Sequence, residues 1–187
     1  MKRSLFLVAA FITYGMLSAQ TKIGNVTLPN TLKTSTSTLY LNGGGIREKY
    51  WMNMYVGGLY VEKKTTDAEA IIKADAPMAI TLHIVSGLIT SSRMSEAVEE
   101  GFLKSTKNNT SSLKDRIETF KAVFEKEEIK INDVYNIVYL PGTGVVILKN
   151  KLKQATIKGL DFKRALWGIW LCDDPADDDL KEGMLGK

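Results

Sequence analysis

Hydrophobic and polar positions change rhythm several times along the chain, and each change marks an element. Residues 22–28 alternate like a short strand and stop at Pro29-Asn30, a turn signal. The Thr/Ser-rich stretch 31–38 reads as a surface loop leading into Leu39-Tyr40-Leu41, whose β-favouring residues run up to Asn42-Gly43-Gly44-Gly45. Tyr50 to Val61 is again rich in aromatic and branched residues, and Gly57-Gly58 inside it predicts a strand that bends. Asp67 opens a short helix whose apolar face is Ala68, Ile71 and Ile72, after which Met78 to Val85 returns to strand.

The middle of the chain switches to helical spacing. Thr90 or Ser91 caps a first helix carrying Met94, Ala97, Val98 and Phe102; Ser111 or Ser112 caps a second carrying Leu113, Ile117, Phe120 and Phe124. Asn108-Asn109 forms the loop between them. Residues 134–140, 145–148 and 153–157 then alternate as three strands. The first pair is joined by Pro141-Gly142, which suits the centre of a type II turn. Asp161 caps a last apolar helix, Ala165 to Leu171, and Pro175-Ala176-Asp177 opens a short polar one. Strands first, two central helices, a meander and a helical end make an α+β pattern, because alternating βαβ units are missing.

The first nineteen residues read as a secretory leader. Lys2 and Arg3 form its charged start, Leu5 to Leu17 its apolar stretch, and Ser18-Ala19 the small residues before the cut, so residues 20–187 form one exported domain. No later apolar run approaches membrane-spanning length. The leader carries two of the basic residues, so the domain is nearer neutral than the chain's +4, which argues against nucleic acid as a partner. A periplasmic location follows. With Cys172 as the only cysteine, the domain makes no internal disulfide, and Cys172 reads as an inert buried thiol.

Candidate chemistry is sparse. His83 is the only histidine and stands in an apolar strand, so it reads as a structural residue making one hydrogen bond, and zinc chemistry lacks support. The cluster Asp173, Asp174, Asp177, Asp178 and Asp179 lacks the spacing and glycine of a calcium loop and reads as helix capping. Trp167 and Trp170 lie in a segment apolar on all sides and read as core, with one indole able to line a cavity. Hydrolase, phosphate-loop and paired-cysteine motifs are missing, and no cofactor or metal is expected. Arg47 stands out, following three glycines and preceding a strand with Tyr50, Tyr55 and Tyr60; a guanidinium there suits a carboxylate or carbonyl.

The run Leu41-Asn42-Gly43-Gly44-Gly45-Ile46-Arg47, then Met54-Tyr55-Val56-Gly57-Gly58-Leu59-Tyr60-Val61-Glu62, resembles the strand pair of chalcone isomerase and its relatives. The likeness is greatest to bacterial exported chalcone isomerase-like proteins. Pro141-Gly142-Thr143-Gly144 and Ala165-Leu166-Trp167-Gly168-Ile169-Trp170-Leu171, followed by Asp174 and Pro175, extend it. The resemblance implies an open-faced β-sandwich, a large antiparallel sheet covered on one face by helices with a ligand cleft between. It further implies that Arg47 occupies the place of the arginine that polarises substrate when a phenolate adds to an enone. The enzymes' threonine falls on Tyr55 and their tyrosine near Met94, which neither donates nor accepts a useful hydrogen bond. In relatives that bind fatty acids without catalysis, an arginine and a tyrosine hold the carboxylate, a pair that Arg47 and Tyr55 can supply. The expected function is therefore non-catalytic binding of a small amphipathic anion, fatty acid or aromatic, with Arg47, Tyr55 and Met94 at the ligand and methionine and aromatic side chains lining the cleft. An intramolecular lyase acting on an enone-like substrate and a ligand-free envelope interaction factor are the alternatives.

Overall fold

The computed structural model describes residues 20–187, and the expected leader, residues 1–19, lies outside them. A hairpin of β1 (Gln20–Ile23) and β2 (Val26–Pro29) precedes a seven-stranded sheet of β3 (Thr31–Lys33), β4 (Thr38–Lys49), β5 (Met52–Val61), β6 (Met78–Ile84), β7 (Val134–Leu140), β8 (Gly144–Lys149) and β9 (Leu152–Ile157). Neighbours in the sheet are neighbours in sequence, and every pair is antiparallel. Short α1 (Ala68–Lys73) joins β5 to β6; α2 (Ser91–Ser105) and α3 (Lys114–Glu125) join β6 to β7; α4 (Leu160–Leu171) and α5 (Asp178–Met184) close the chain.

All five helices contribute to one continuous core on one face of the sheet. Ile80, Leu82, Ile137 and Ile147 from the strands meet Phe102, Phe120, Phe124, Phe162 and Leu166 from the helices. The opposite face carries a smaller cluster of Leu28, Leu39, Leu41, Val56, Tyr60, Ala79 and Val138, roofed by the β1–β2 hairpin. This is the α+β architecture expected, with helices over one face.

Several local expectations are corrected. Residues 22–28 form two strands, because Gly24, with φ +54°, turns the chain back between Ile23 and Val26. The supposed loop 31–38 contains edge strand β3, paired to β4 through Thr31–Tyr40. The three glycines continue β4 and do not end it. A Cβ on Gly43 would fall on the Gly183 carbonyl, and one on Gly44 would lie 2.8 Å from Leu28 Cδ1, so missing side chains let α5 and the hairpin press on the strand from opposite faces. The register shifts occur at Asn42 in β4 and Met54 in β5, while Gly57-Gly58 pairs regularly with Gly45-Gly44. Asn42 uses its irregular position to tie distant segments together: its amide donates to Met184 O at 2.8 Å and Thr65 O at 3.0 Å, and its Oδ1 accepts from Thr65 N–H at 2.8 Å.

Helix starts divide in the same way. Asp67, Thr90 and Asp177 cap α1, α2 and α5 through side-chain oxygens. Neither Ser111 nor Ser112 caps α3, which begins after a 3₁₀ turn, Ser111–Leu113. Asp161 sits inside the first turn of α4 and not at its cap, held by both terminal nitrogens of Arg116 at 2.7 and 2.8 Å. The loop from Leu140 to Thr143 is the type II turn expected, with Gly142 at φ +75° and Thr143 N–H bonded to Leu140 O at 3.0 Å.

Lys163, on the apolar helix α4, is fully buried. Its ammonium donates to Ile71 O, Ile72 O and Ala74 O at 2.7, 3.0 and 2.9 Å, so it satisfies the orphan carbonyls at the end of α1. It also lies 5.6 Å from the ring centres of Tyr139 and Trp167.

Candidate functional site

A cleft of about 350 Å³ opens where the β4–β5 hairpin leaves the helical layer, between the start of β5 and the N-terminal half of α2. That volume is at the lower end for small-molecule pockets, roughly 300–1,000 Å³. A narrow apolar recess of about 30 Å³, bounded by Leu82, Val98, Phe120, Phe124 and Ile169, continues from it towards the core. Arg47, Tyr55, Met94 and Ala97 border both. The three residues singled out from sequence thus meet around one space.

Strand pairing explains why. Arg47 and Tyr55 are Cα partners across β4 and β5, and the guanidinium carbon stands 5.7 Å from the Tyr55 ring centre. In a regular strand Met54 and Tyr55 would point to opposite faces. The bulge at Met54 re-aims them, so that Met52, Met54 and Tyr55 all line the cleft. Met94 enters from α2, one turn beyond the Thr90 cap.

The polar groups are few and specifically held. Trp170 Nε1 donates to the Tyr55 hydroxyl at 2.9 Å, fixing the ring and leaving the phenol proton without an acceptor among the described residues. Burial raises the Tyr55 pKa, against a lowering influence from Arg47, so the phenol stays protonated and serves as a donor. Arg47 Nε is buried without a hydrogen-bond partner, and its guanidinium makes no ion pair among the described residues. Asp177, a carboxylate close enough to act on Tyr55, is occupied: Oδ1 caps α5 through Leu180 N–H and Oδ2 accepts from Glu48 N–H. Lys49, Arg93, Glu96 and Glu100 stand around the mouth. Arg93 also donates to Leu88 O at 2.9 Å, holding Leu88 and Ile89 against the cleft.

The remaining candidates lie elsewhere. His83 alternates with Leu82 and Ile84, which belong to the helix-side core, and so faces away from the cleft. It is half-buried, burial lowers its pKa, and the one hydrogen bond expected of it is not formed among the described residues. Cys172 is only partly buried, contrary to expectation, because it sits at the C-terminal cap of α4. Its thiol donates to Asp174 O at 3.2 Å, and burial raises its pKa, which keeps it unreactive. Trp167 is core, while Trp170 joins core and recess. Of the aspartates, Asp177 caps α5 and Asp174 pairs with Lys104 at 3.1 Å.

The expected methionine lining is present, but the sequence singled out only Met94 and not Met52, Met54 or the Leu88-Ile89 pair, although Met52 and Met54 are two apart in a strand that also carries Tyr55. It could not see the Trp170–Tyr55 bond, made between residues 115 apart.

Comparison with known proteins agrees with this fold. The model of the chalcone isomerase-like family matches residues 20–186. Among solved structures, a fatty-acid binding protein of Arabidopsis thaliana superimposes with a TM-score of 0.69 at 18% identity, covering 86% of this chain and 92% of that one. No curated protein sequence matches. In the described residues, no helix is long and apolar enough to cross a membrane. A match running from the first described strand to the end of α5, over an antiparallel sheet with helices on one face, makes this chain a member of the chalcone isomerase-like family.

Proposed function

We propose that this protein binds a small amphipathic anion, a fatty acid or an aromatic acid, without altering it, and does so after export to the periplasm. The observation that carries the reading is the Arg47 guanidinium: Nε is buried and unpartnered beside a protonated Tyr55, where the cleft continues into an apolar recess. Buried polar groups are ordinarily satisfied, so an orphaned donor in a cleft is accounted for by a ligand that accepts from it. A carboxylate suits a guanidinium through charge-assisted bonds, with the Tyr55 hydroxyl as second donor. Met52, Met54 and Met94 supply a pliable apolar lining for a chain or ring of variable shape. The fatty-acid binding protein of similar fold supports the same reading. Support for export is the pattern of residues 1–19.

The adjacency of Arg47 and Tyr55 also favours a second reading, polarisation of an enone carbonyl by two donors in an intramolecular lyase. Met94 stands where such an enzyme would need a proton-handling hydroxyl. The two readings separate in one experiment. Protein purified from its own periplasm is examined by native mass spectrometry beside Arg47→Ala, and each is then incubated with laurate and with a chalcone. An anion that co-purifies and is lost in the variant supports binding, with affinity for laurate falling about 10–100-fold, as expected when a charge-assisted contact is removed. Conversion of the chalcone by the wild type would replace this reading with the lyase. An empty protein that takes up neither compound would sink both and leave an envelope interaction factor.

A further inference from the structure

The tip of the β4–β5 hairpin is built from unsuitable residues. Lys49 pairs with Met52, so Tyr50 and Trp51 are the two central residues of the turn, with φ of 56° and 59°. Two-residue turns with both φ values positive favour Asn and Gly, since the Cβ of any larger residue crowds the following carbonyl oxygen in the left-handed region. The β8–β9 hairpin makes the same kind of turn with Asn150 and Lys151, at 51° and 71°. There Asn150 is tied down, its Oδ1 accepting from Val134 N–H at 2.9 Å and its amide donating to Asp133 at 2.8 Å. Tyr50 and Trp51 have no comparable anchorage: they are 71% and 95% exposed, neither side chain makes a hydrogen bond among the described residues, and the Lys49 ammonium lies 5.5 Å from the centre of the Tyr50 ring. Backbone strain kept without compensating burial points to a use outside the fold.

We propose that this tip is an interfacial anchor that inserts into the surface of a lipid bilayer. An indole and a phenol are the side chains that settle between headgroups and acyl chains. Exposed Met52 and Leu88 flank them, and Lys49 stands at the neck, where its stem can follow the tip while its ammonium stays with the headgroups. A protein partner would require about 800 Å² from this side, more than a two-residue projection offers, whereas a bilayer admits a narrow wedge. Tyr50, Met52 and Leu88 also line the cleft, so anchoring turns its mouth towards the lipid. Passage of an amphipathic ligand between bilayer and cleft rests on the binding reading above; the docking itself does not. Glu48 and Glu96 balance Lys49 and Arg93 around the tip, so the attachment is driven by aromatic insertion and is insensitive to salt.

The protein carries its own reporter. Of its three tryptophans, Trp167 and Trp170 are 0% and 4% exposed, so changes in the water-exposed part of the emission belong to Trp51. Residues 20–187 are mixed with vesicles of phosphatidylethanolamine and phosphatidylglycerol, some brominated high on the acyl chain. The expected result is a blue shift, quenching by the brominated lipid, and co-sedimentation that survives high salt. Trp51→Ser should lower vesicle partitioning by about tenfold, with an unchanged circular dichroism spectrum and unchanged laurate affinity. Emission and acrylamide quenching that vesicles leave unaltered would overturn the proposal, as would a Trp51→Ser variant that partitions like the wild type. Laurate affinity is read separately, so failed docking with intact laurate binding removes the anchor and spares the cleft.

Discussion

Lys163 and Arg47 are both cations drawn in from water, and the fold treats them in opposite ways. Three carbonyls and two aromatic faces surround the Lys163 ammonium, whereas Arg47 Nε has no partner. Lys149 belongs with Lys163: it is buried against Asp133 at 3.1 Å and the Glu128 carbonyl at 2.9 Å. The closed shells are devices of folding, and the open one borders the cleft where the proposed ligand would sit. Among these cations, the completeness of the hydrogen-bond shell separates the two structural lysines from the arginine at the cleft.

The comparison is broken most directly by removing the closed shell. Lys163→Met leaves three carbonyls at the end of α1 without donors and should cost about 3 kcal/mol, read as a fall in the urea midpoint. Arg47→Met, which leaves no acceptor orphaned, should change stability by less than about 1 kcal/mol. Equal losses from the two substitutions would erase the distinction. On the open side, Tyr55→Phe keeps the ring beneath the guanidinium and removes the hydroxyl. It should weaken laurate binding about fivefold to tenfold by calorimetry, less than the loss of Arg47, because a neutral hydrogen bond is the weaker contact.

A pH series gives the smallest and most specific effect. Burial lowers Lys163 from its ordinary 10.5 to about 8. Between those values the unfolded chain keeps a proton that the folded chain has released, so stability from this site rises with pH from about 8 towards 10.5; below 8 the cost of burying the charge is fully present. The stability gap between wild type and Lys163→Met should thus be wider at pH 9.5 than at pH 7. A constant gap would mean that the carbonyl shell holds the lysine at its ordinary pKa.

Periodicity revealed the strands β5 to β9, the capped helices α1 and α2, and the Pro141-Gly142 turn, because each rests on interactions within a few residues. What it concealed depends on contacts at long range. The glycines of β4 read as a stop because their strand character comes from Gly183 and Leu28 pressing on either side. Asp161 read as a cap because its real partner, Arg116, lies 45 residues away. At the cleft, Arg47 was suggested by its neighbours and Tyr55 and Met94 by resemblance. Methionines were expected along the cleft, but which ones beyond Met94 stayed hidden, because a one-residue bulge decides which way Met54 and Tyr55 point.

The clasp between Asn42 and Met184 joins residues 142 apart, and the turn preceding α5 places Ala176 in the wall of the recess. Most of the sheet can zip up between sequence neighbours, but the recess is enclosed only when the final helix returns to the glycines of β4. Such distant closure is a late event in the ordering of a chain. During refolding from urea, sheet signals should therefore recover before the capacity to retain laurate, and a chain cut before residue 176 would acquire the sheet without acquiring the grip.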